Sequence, residues 1–350
     1  MVNELGVLSV VVIYAALFAW AFRVLPQESW QFVASVPRHK GSDGQWVGMN
    51  LTYYGVFLAS GVAVAVAIVV VLMGALSLPL IIIGMVSAIL LICCVPAARL
   101  MAKAIEAQTN TFTIGGAAFI GILIAPWTVW LTDRVAGNAF GVHVPILPSL
   151  AVLAIAYAFG EGTGRLACIS FGCCYGKPLS RVSRRLTTLC KTCHFTFTGA
   201  TKKAAYEGGF EMVPVIPIQA VTALVFVGTG LVGLLLFLHG RVLAAFMVTW
   251  LSTQIWRAVS EFFRADYRGT GAFSVYQVLA VIGALYGLVV ALVIPHETGL
   301  RPDLLAGLHA LWNPAAILAI QAVWFAIFLY TGRSKVTASR MEFSMSQDRR

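Results

Sequence analysis

The sequence predicts an all-α integral membrane protein of about nine transmembrane helices, with a polar loop or head region after the fifth. Three observations carry that prediction. Hydrophobic residues make up 59% of the 350 residues and charged residues 11%, with a mean hydropathy of +0.87. A soluble domain carries about 25% charged side chains to cover its surface, so this chain needs lipid as its solvent. The apolar residues fall into nine separate runs, and the ionisable ones collect between them. Collagen-like, coiled-coil, disordered and disulfide-scaffold classes are excluded on the same composition.

A spanning helix needs about 20 apolar residues. The first run, 6–22, follows Met1-Val2-Asn3-Glu4. With no basic n-region and no small-residue cleavage site, it reads as a span rather than a signal peptide. Spans two to five cover 53–75, 78–98, 113–131 and 144–169. After a polar stretch come 217–238, 242–263, 273–294 and 310–330. Pro126 and Pro148 kink or bound their helices. The tail 332–350 is polar and basic and reads as frayed. No internal repeat is visible, which argues against an inverted-repeat transporter.

The net charge of +10 points to anionic lipid headgroups or to the cytoplasmic side of a membrane rather than to nucleic acid. With nine spans, 19 Lys and Arg residues fall on the side of the tail and only Arg134, Arg241 and Arg301 on the other. The charge rule alone places the richer side in the cytoplasm.

Ionisable groups inside apolar runs are costly and mark functional sites by default. Glu161 and Arg165 are four apart on one helix face and can pair. Arg257, Glu261 and Arg264 form a second stripe at the end of the seventh span. Two such stripes at similar depth predict a polar cavity open to one side, with guanidinium groups suited to gripping phosphate. The plainer reading is a pair of salt bridges that only fix helix packing.

Around Arg165 runs Gly160-Glu161-Gly162-Thr163-Gly164-Arg165-Leu166-Ala167-Cys168, followed by Ile169-Ser170-Phe171-Gly172-Cys173-Cys174-Tyr175-Gly176. This stretch resembles the signature of the prolipoprotein diacylglyceryl transferases, and more closely a divergent branch carrying Gly-Cys-Cys-Tyr-Gly. Five further blocks resemble the family in order: Tyr54-Gly55, Gly115 to Gly121, Pro217-Ile218-Gln219, Arg257 to Arg264, and Tyr276-Gln277. The resemblance divides the chain into an extra N-terminal helix and loop (1–52), a seven-helix transferase-like core (53–296) that includes a head loop at 177–215, and an extra C-terminal helix with a basic tail (297–350). Departures are equally plain. Ile120 stands where the family has histidine, Cys168 and Cys173 where its signature has asparagine and glutamate, and Thr222 where it has glutamate.

The resemblance implies a membrane-embedded lipid transferase of the bacterial inner membrane. Such an enzyme moves the diacylglyceryl group of phosphatidylglycerol to the cysteine thiol of a lipoprotein precursor, or to another acceptor, and releases glycerol phosphate. By the same resemblance Arg165 and Arg257 hold the phosphate, and Glu261 and Arg264 orient Arg257 or complete an ion-pair network. Glu161 and Tyr54 are candidate bases. Gly121, Gln219, Gln277, Cys173 and Cys174 join Arg264 as substrate-binding positions. The expected partners are phosphatidylglycerol or another anionic phospholipid, lipoprotein precursors and the bilayer, with no nucleic acid. In the family this face looks out of the cell, against the charge count.

Cys93-Cys94 read as small core residues. Cys190-Lys191-Thr192-Cys193-His194 matches the haem-attachment pattern in form. Zinc ligation with Cys173 and Cys174, a disulfide or unpaired thiols are the alternatives. Neither a metal nor a cofactor is the expectation. The remaining histidines lie at span ends without ligand spacing, and Trp46, Trp127, Trp130, Trp250 and Trp312 fit aromatic belts or helix packing. The basic head loop attracts anionic headgroups or sets topology. Two other function classes stay open at this point: a lipid transporter or flippase with an arginine-lined cavity, and a haem or thiol redox protein.

Overall fold

The computed structural model describes residues 2–106, 114–266, 273–296 and 299–343, with the side chains at 98–99, 101–106, 114–115 and 335 outside the description. Thr113 at the expected start of the fourth span, and the basic residues Arg268, Arg349 and Arg350, lie outside the described residues. Among those described, nine helices are long and apolar enough to cross a membrane. The chain is a multi-pass, all-α membrane protein.

Helix α1 (Val2–Val24) leads into a hairpin of β1 (Phe32–Lys40) and β2 (Trp46–Thr52). Then follow α2 (Tyr53–Gly74), α3 (Leu80–Glu106), α4 (Ile114–Phe140) and α5 (Ile146–Phe171). The head contains α6 (Arg184–Cys190), β3 (Phe195–Thr196), α7 (Lys203–Tyr206) and β4 (Pro214–Val215). It returns to α8 (Ile218–Leu238), α9 (Val242–Ser260) and α10 (Val275–Val293). The short α11 (Leu304–Leu311), the spanning α12 (Pro314–Thr331) and β5 (Arg333–Met341) complete the fold.

Helix α5 is the axis. It packs against α2, α8, α9 and α4, and small residues let its neighbours come close, the packing mode expected in lipid. A Cβ on Gly61 of α2 would lie 2.6 Å from the Gly160 carbonyl oxygen of α5. Helix α1 lies against α8, and its Tyr14 hydroxyl hydrogen-bonds Thr163 of α5 at 2.8 Å. Helix α12 packs on α2.

Two features depart from the sequence expectation. The tail is ordered through Met341: β5 pairs antiparallel with β2 in a sheet of order β1-β2-β5, with Trp46 opposite Met341 and Met49 opposite Ala338. Thr52 joins this sheet to α2, capping the helix by accepting from Gly55 N and donating its hydroxyl to the Gly332 carbonyl at 3.0 Å. The ninth apolar run is divided: α11 ends at Leu311, and α12 starts afresh with Asn313 accepting from Ala315 N and Pro314 in the first turn.

The spans alternate in direction. The ends of α1, α5, α9 and α12 and the starts of α2, α8 and α10 therefore share one face with the sheet and the head. The head is docked there by backbone and side-chain hydrogen bonds. Thr198 N donates to Pro26 O at 3.2 Å and Gln31 Nε2 to Thr201 O at 2.7 Å. Lys202, one of the head-loop cations expected to attract headgroups, is instead fully buried, donating from Nζ to Leu25 O at 3.0 Å and Ser170 O at 2.6 Å.

Candidate active site

On α5 the positions 157, 161, 165 and 168 recur at helical spacing and present Tyr157, Glu161, Arg165 and Cys168 on one face. Arg165 pairs with Glu161, whose other carboxylate oxygen lies 3.9 Å from Nη1 of Arg257 on α9. The same Nη1 donates to the Tyr157 hydroxyl at 2.7 Å. Glu161 therefore lies between the two guanidinium groups expected to act together. All three side chains are largely removed from solvent, at 2% exposure for Glu161, 12% for Arg165 and 13% for Arg257. Within this trio one carboxylate faces two guanidiniums, a local excess of positive charge. Arg165 Nε has no hydrogen-bond partner among the described residues.

Glu161 and Tyr157 form the polar end of a cavity of about 290 Å³ between α2, α3, α4, α5 and α9. Val62, Val66, Leu90, Ile122, Leu153 and Trp250 line its apolar body, and Glu161 is its one charged lining residue among those described. Gly121 lines the same cavity. A Cβ there would meet Cys94 Sγ at 3.1 Å.

Beyond Arg257 the chain turns out of α9, and Arg264 is clamped by two carboxylates. Its Nε and Nη2 donate to the two oxygens of Asp266 at 2.9 and 2.8 Å, and Nη1 donates to Glu261 at 3.2 Å. Ser274 Oγ donates to the second Glu261 oxygen at 3.1 Å. Burial pushes the Asp266 carboxyl up to about 6 against the opposing pull of Arg264. Gln277 closes a capping box with Ser274 and donates to Ala258 O at 3.2 Å, so it ties α10 to α9.

The Gly-Cys-Cys-Tyr-Gly segment leaves α5 through a left-handed Gly172 (φ 73°) and then, unusually for a side-chain-bearing residue, a left-handed Cys174 (φ 56°). Gly176 forms an antiparallel bridge with Arg264, with Lys177 N to Phe263 O at 2.9 Å and Ala265 N to Tyr175 O at 3.0 Å. This bridge brings the two sequence-distant stripes together. A Cβ on Gly176 would lie 2.3 Å from Ile216 O, so only glycine permits the approach. Gln219 Nε2 donates to Cys173 O at 2.9 Å and holds the loop. As a result the Sγ atoms of Cys168, Cys173 and Cys174 all lie within 4.8 Å of one another. Tyr54 packs its ring edge-on against Phe171, 5.7 Å between centroids.

The structure thus gathers Glu161, Arg165, Arg257, Tyr54, Cys173 and Cys174, and sets Glu261 and Arg264 in an adjoining ion-pair network. Gln219 and Gln277 touch backbone. Cys190, Cys193 and His194 lie on the head's surface, His194 Nδ1 at 3.0 Å from Lys191 O, apart from the thiol cluster. Sequence reasoning did not single out Tyr157, Cys168 as part of a cluster, or Asp266. Helical spacing from Glu161 pointed to the first two; nothing local pointed to Asp266, which follows the helix end.

The family model of the prolipoprotein diacylglyceryl transferases matches residues 45–293. No curated protein matches the chain.

Proposed function

The chain belongs to the prolipoprotein diacylglyceryl transferase family and is a membrane transferase of diacylglyceryl groups, and we propose that Arg165 and Arg257 hold the phosphate of phosphatidylglycerol during the transfer. On this reading the acyl chains occupy the apolar cavity and the headgroup meets its polar end. The thiol of a lipoprotein precursor's cysteine attacks the glyceryl carbon next to the phosphate, and glycerol phosphate leaves. Charge develops on the departing phosphate oxygen, and two preorganised guanidiniums in a water-poor site are placed to balance it. The observation that carries the reading is the single carboxylate of Glu161, a lining residue of the apolar chamber, between two largely buried guanidiniums.

Glu161 is engaged by both arginines, so its role is to position them. Glu261, Arg264 and Asp266 brace the loop that follows α9. The protein acts in the bacterial inner membrane.

The test uses phosphatidylglycerol labelled in its headgroup, a precursor peptide with one cysteine, and purified enzyme. Arg165→Ala and Arg257→Ala are each expected to lower glycerol phosphate release by about 10²–10³-fold, the usual worth of one charge-stabilising donor. Thermal unfolding reports whether each variant is intact. An intact variant with wild-type turnover would overturn the assignment.

A further inference from the structure

The transferase reading leaves one requirement to assign: something must take the proton of the attacking thiol, and Tyr54, a phenol, ordinarily keeps its own proton at neutral pH. Glu161 is committed to two arginines. None of the six histidines, at 39, 143, 194, 239, 296 and 309, lines the cavity or joins the thiol cluster. What the site does contain is three thiols from one short segment.

We propose that Cys168, Cys173 and Cys174 bind a zinc ion whose fourth position takes the acceptor cysteine as a thiolate. The proposal rests on the transferase reading for its acceptor, and on the thiol geometry for its metal.

Zinc takes thiolates at about 2.3 Å and is four-coordinate, which separates neighbouring sulfurs by about 3.8 Å. The three Sγ atoms already lie within 4.8 Å of one another, so small side-chain rotations close the site. A structural zinc site fills all four positions from the protein, whereas a catalytic one keeps a position open. Among the described residues no fourth His, Cys, Asp or Glu belongs to the cluster. Cys168 is buried while Cys173 and Cys174 are partly exposed.

The loop is built to hold this arrangement. The left-handed backbone at Cys174 is unfavourable for a residue with a side chain and persists only where its surroundings impose it. Here the Gly176–Arg264 bridge and the Gln219 hydrogen bond to Cys173 do so. Arg165 stands on the same face of α5 as Cys168, and Arg264 is bridged to Gly176, two residues beyond Cys174.

The step balances without an oxidant. The acceptor thiol binds zinc and its proton passes to solvent, because a metal-bound thiol is deprotonated. The thiolate pair forms the new carbon–sulfur bond to the glyceryl carbon. The carbon–oxygen bond to phosphate breaks, and its electron pair leaves on the phosphate oxygen beside Arg165 and Arg257. The product thioether, a weaker ligand than a thiolate, releases the zinc.

Metal binding is read first, independently of activity. Full-length protein in detergent, reduced and loaded with zinc, is dialysed and its metal content measured; cobalt(II) loading gives a thiolate-to-metal absorption band. One zinc per chain is expected, together with the cobalt band, and both are lost in Cys168→Ser and Cys173→Ser but kept in Cys190→Ser/Cys193→Ser. Chelation is expected to lower transfer to the peptide thiol by roughly 10²–10⁴-fold, the range for assisted proton removal, with recovery on adding zinc. Wild-type protein that binds no zinc, or zinc that survives Cys168→Ser and Cys173→Ser in folded protein, would overturn the proposal. So would a chelated enzyme with full activity, and that result leaves the transferase reading standing. Zinc bound by these cysteines in a protein that never turns over phosphatidylglycerol would instead sink the donor assignment and keep the metal site.

Discussion

Lys202 shows how a single residue can take a role opposite to its sequence context. Its Nζ is fully buried and faces two carbonyl oxygens, Leu25 and Ser170. A neutral amine has two N–H donors, which is the number needed. Desolvation lowers its pKa from 10.5 to about 7, with Glu28 pulling weakly the other way. The unfolded chain therefore binds a proton that the folded chain releases between about pH 7 and 10.5, and stability from this residue rises with pH across that window. We expect the melting temperature of wild type to climb relative to Lys202→Met between these limits in detergent. Parallel curves would show that the lysine is charged in the fold. Other residues were easier to read. The Glu161–Arg165 pair follows from a spacing of four on one helix, and Arg257 from a charge inside an apolar run. Lys202 and Asp266 were not legible, because burial in a loop depends on what packs against it: the 25–31 segment for Lys202 and the Arg264 guanidinium for Asp266.

At the scale of elements, apolar run length was enough to find all nine spans, since hydrocarbon thickness fixes what a helix must supply. It was not enough to find β5, whose partner β2 lies some 290 residues earlier and whose pairing has no local signal. Nor did it separate α11 from α12, where an Asn-Pro start interrupts an unbroken apolar run. The contact that matters most for the site is between α2, which carries Tyr54, and α5, which carries Glu161 and Arg165. Gly61 sets their separation: a methyl there would face the Gly160 carbonyl at 2.6 Å and Gly164 N at 3.0 Å, backbone atoms that cannot turn aside. Gly61→Ala is expected to cost about 1–3 kcal/mol by overpacking and to lower transfer activity as the helices part. Gly84→Ala on α3, with nothing within 4 Å of the added methyl, is the matched control and should leave both unchanged. Equal melting temperatures for the two variants would refute this account of the interface.

For the whole molecule, the same basic residues answer two demands that conflict, and this is why sidedness could not be read from the chain. The charge rule treats every Lys and Arg of a loop as a topology signal. In the folded protein several of those on the site face are committed elsewhere: Lys202 is buried, Arg264 is held by Asp266 and Glu261, and Lys203 pairs with Glu207 at 3.2 Å. Cations required by the fold and by an anionic substrate inflate the count without reporting orientation. We therefore expect the site face to look out of the cell, as the family resemblance implies, despite its 19 basic residues. Cys193, exposed on the head, is a native reporter. A membrane-impermeant maleimide should label it in intact cells, with Cys193→Ser as the blank. Labelling that appears only after the membrane is opened would mean that the charge rule governs insertion here, and that the acceptor thiol must be reached from the cytoplasm.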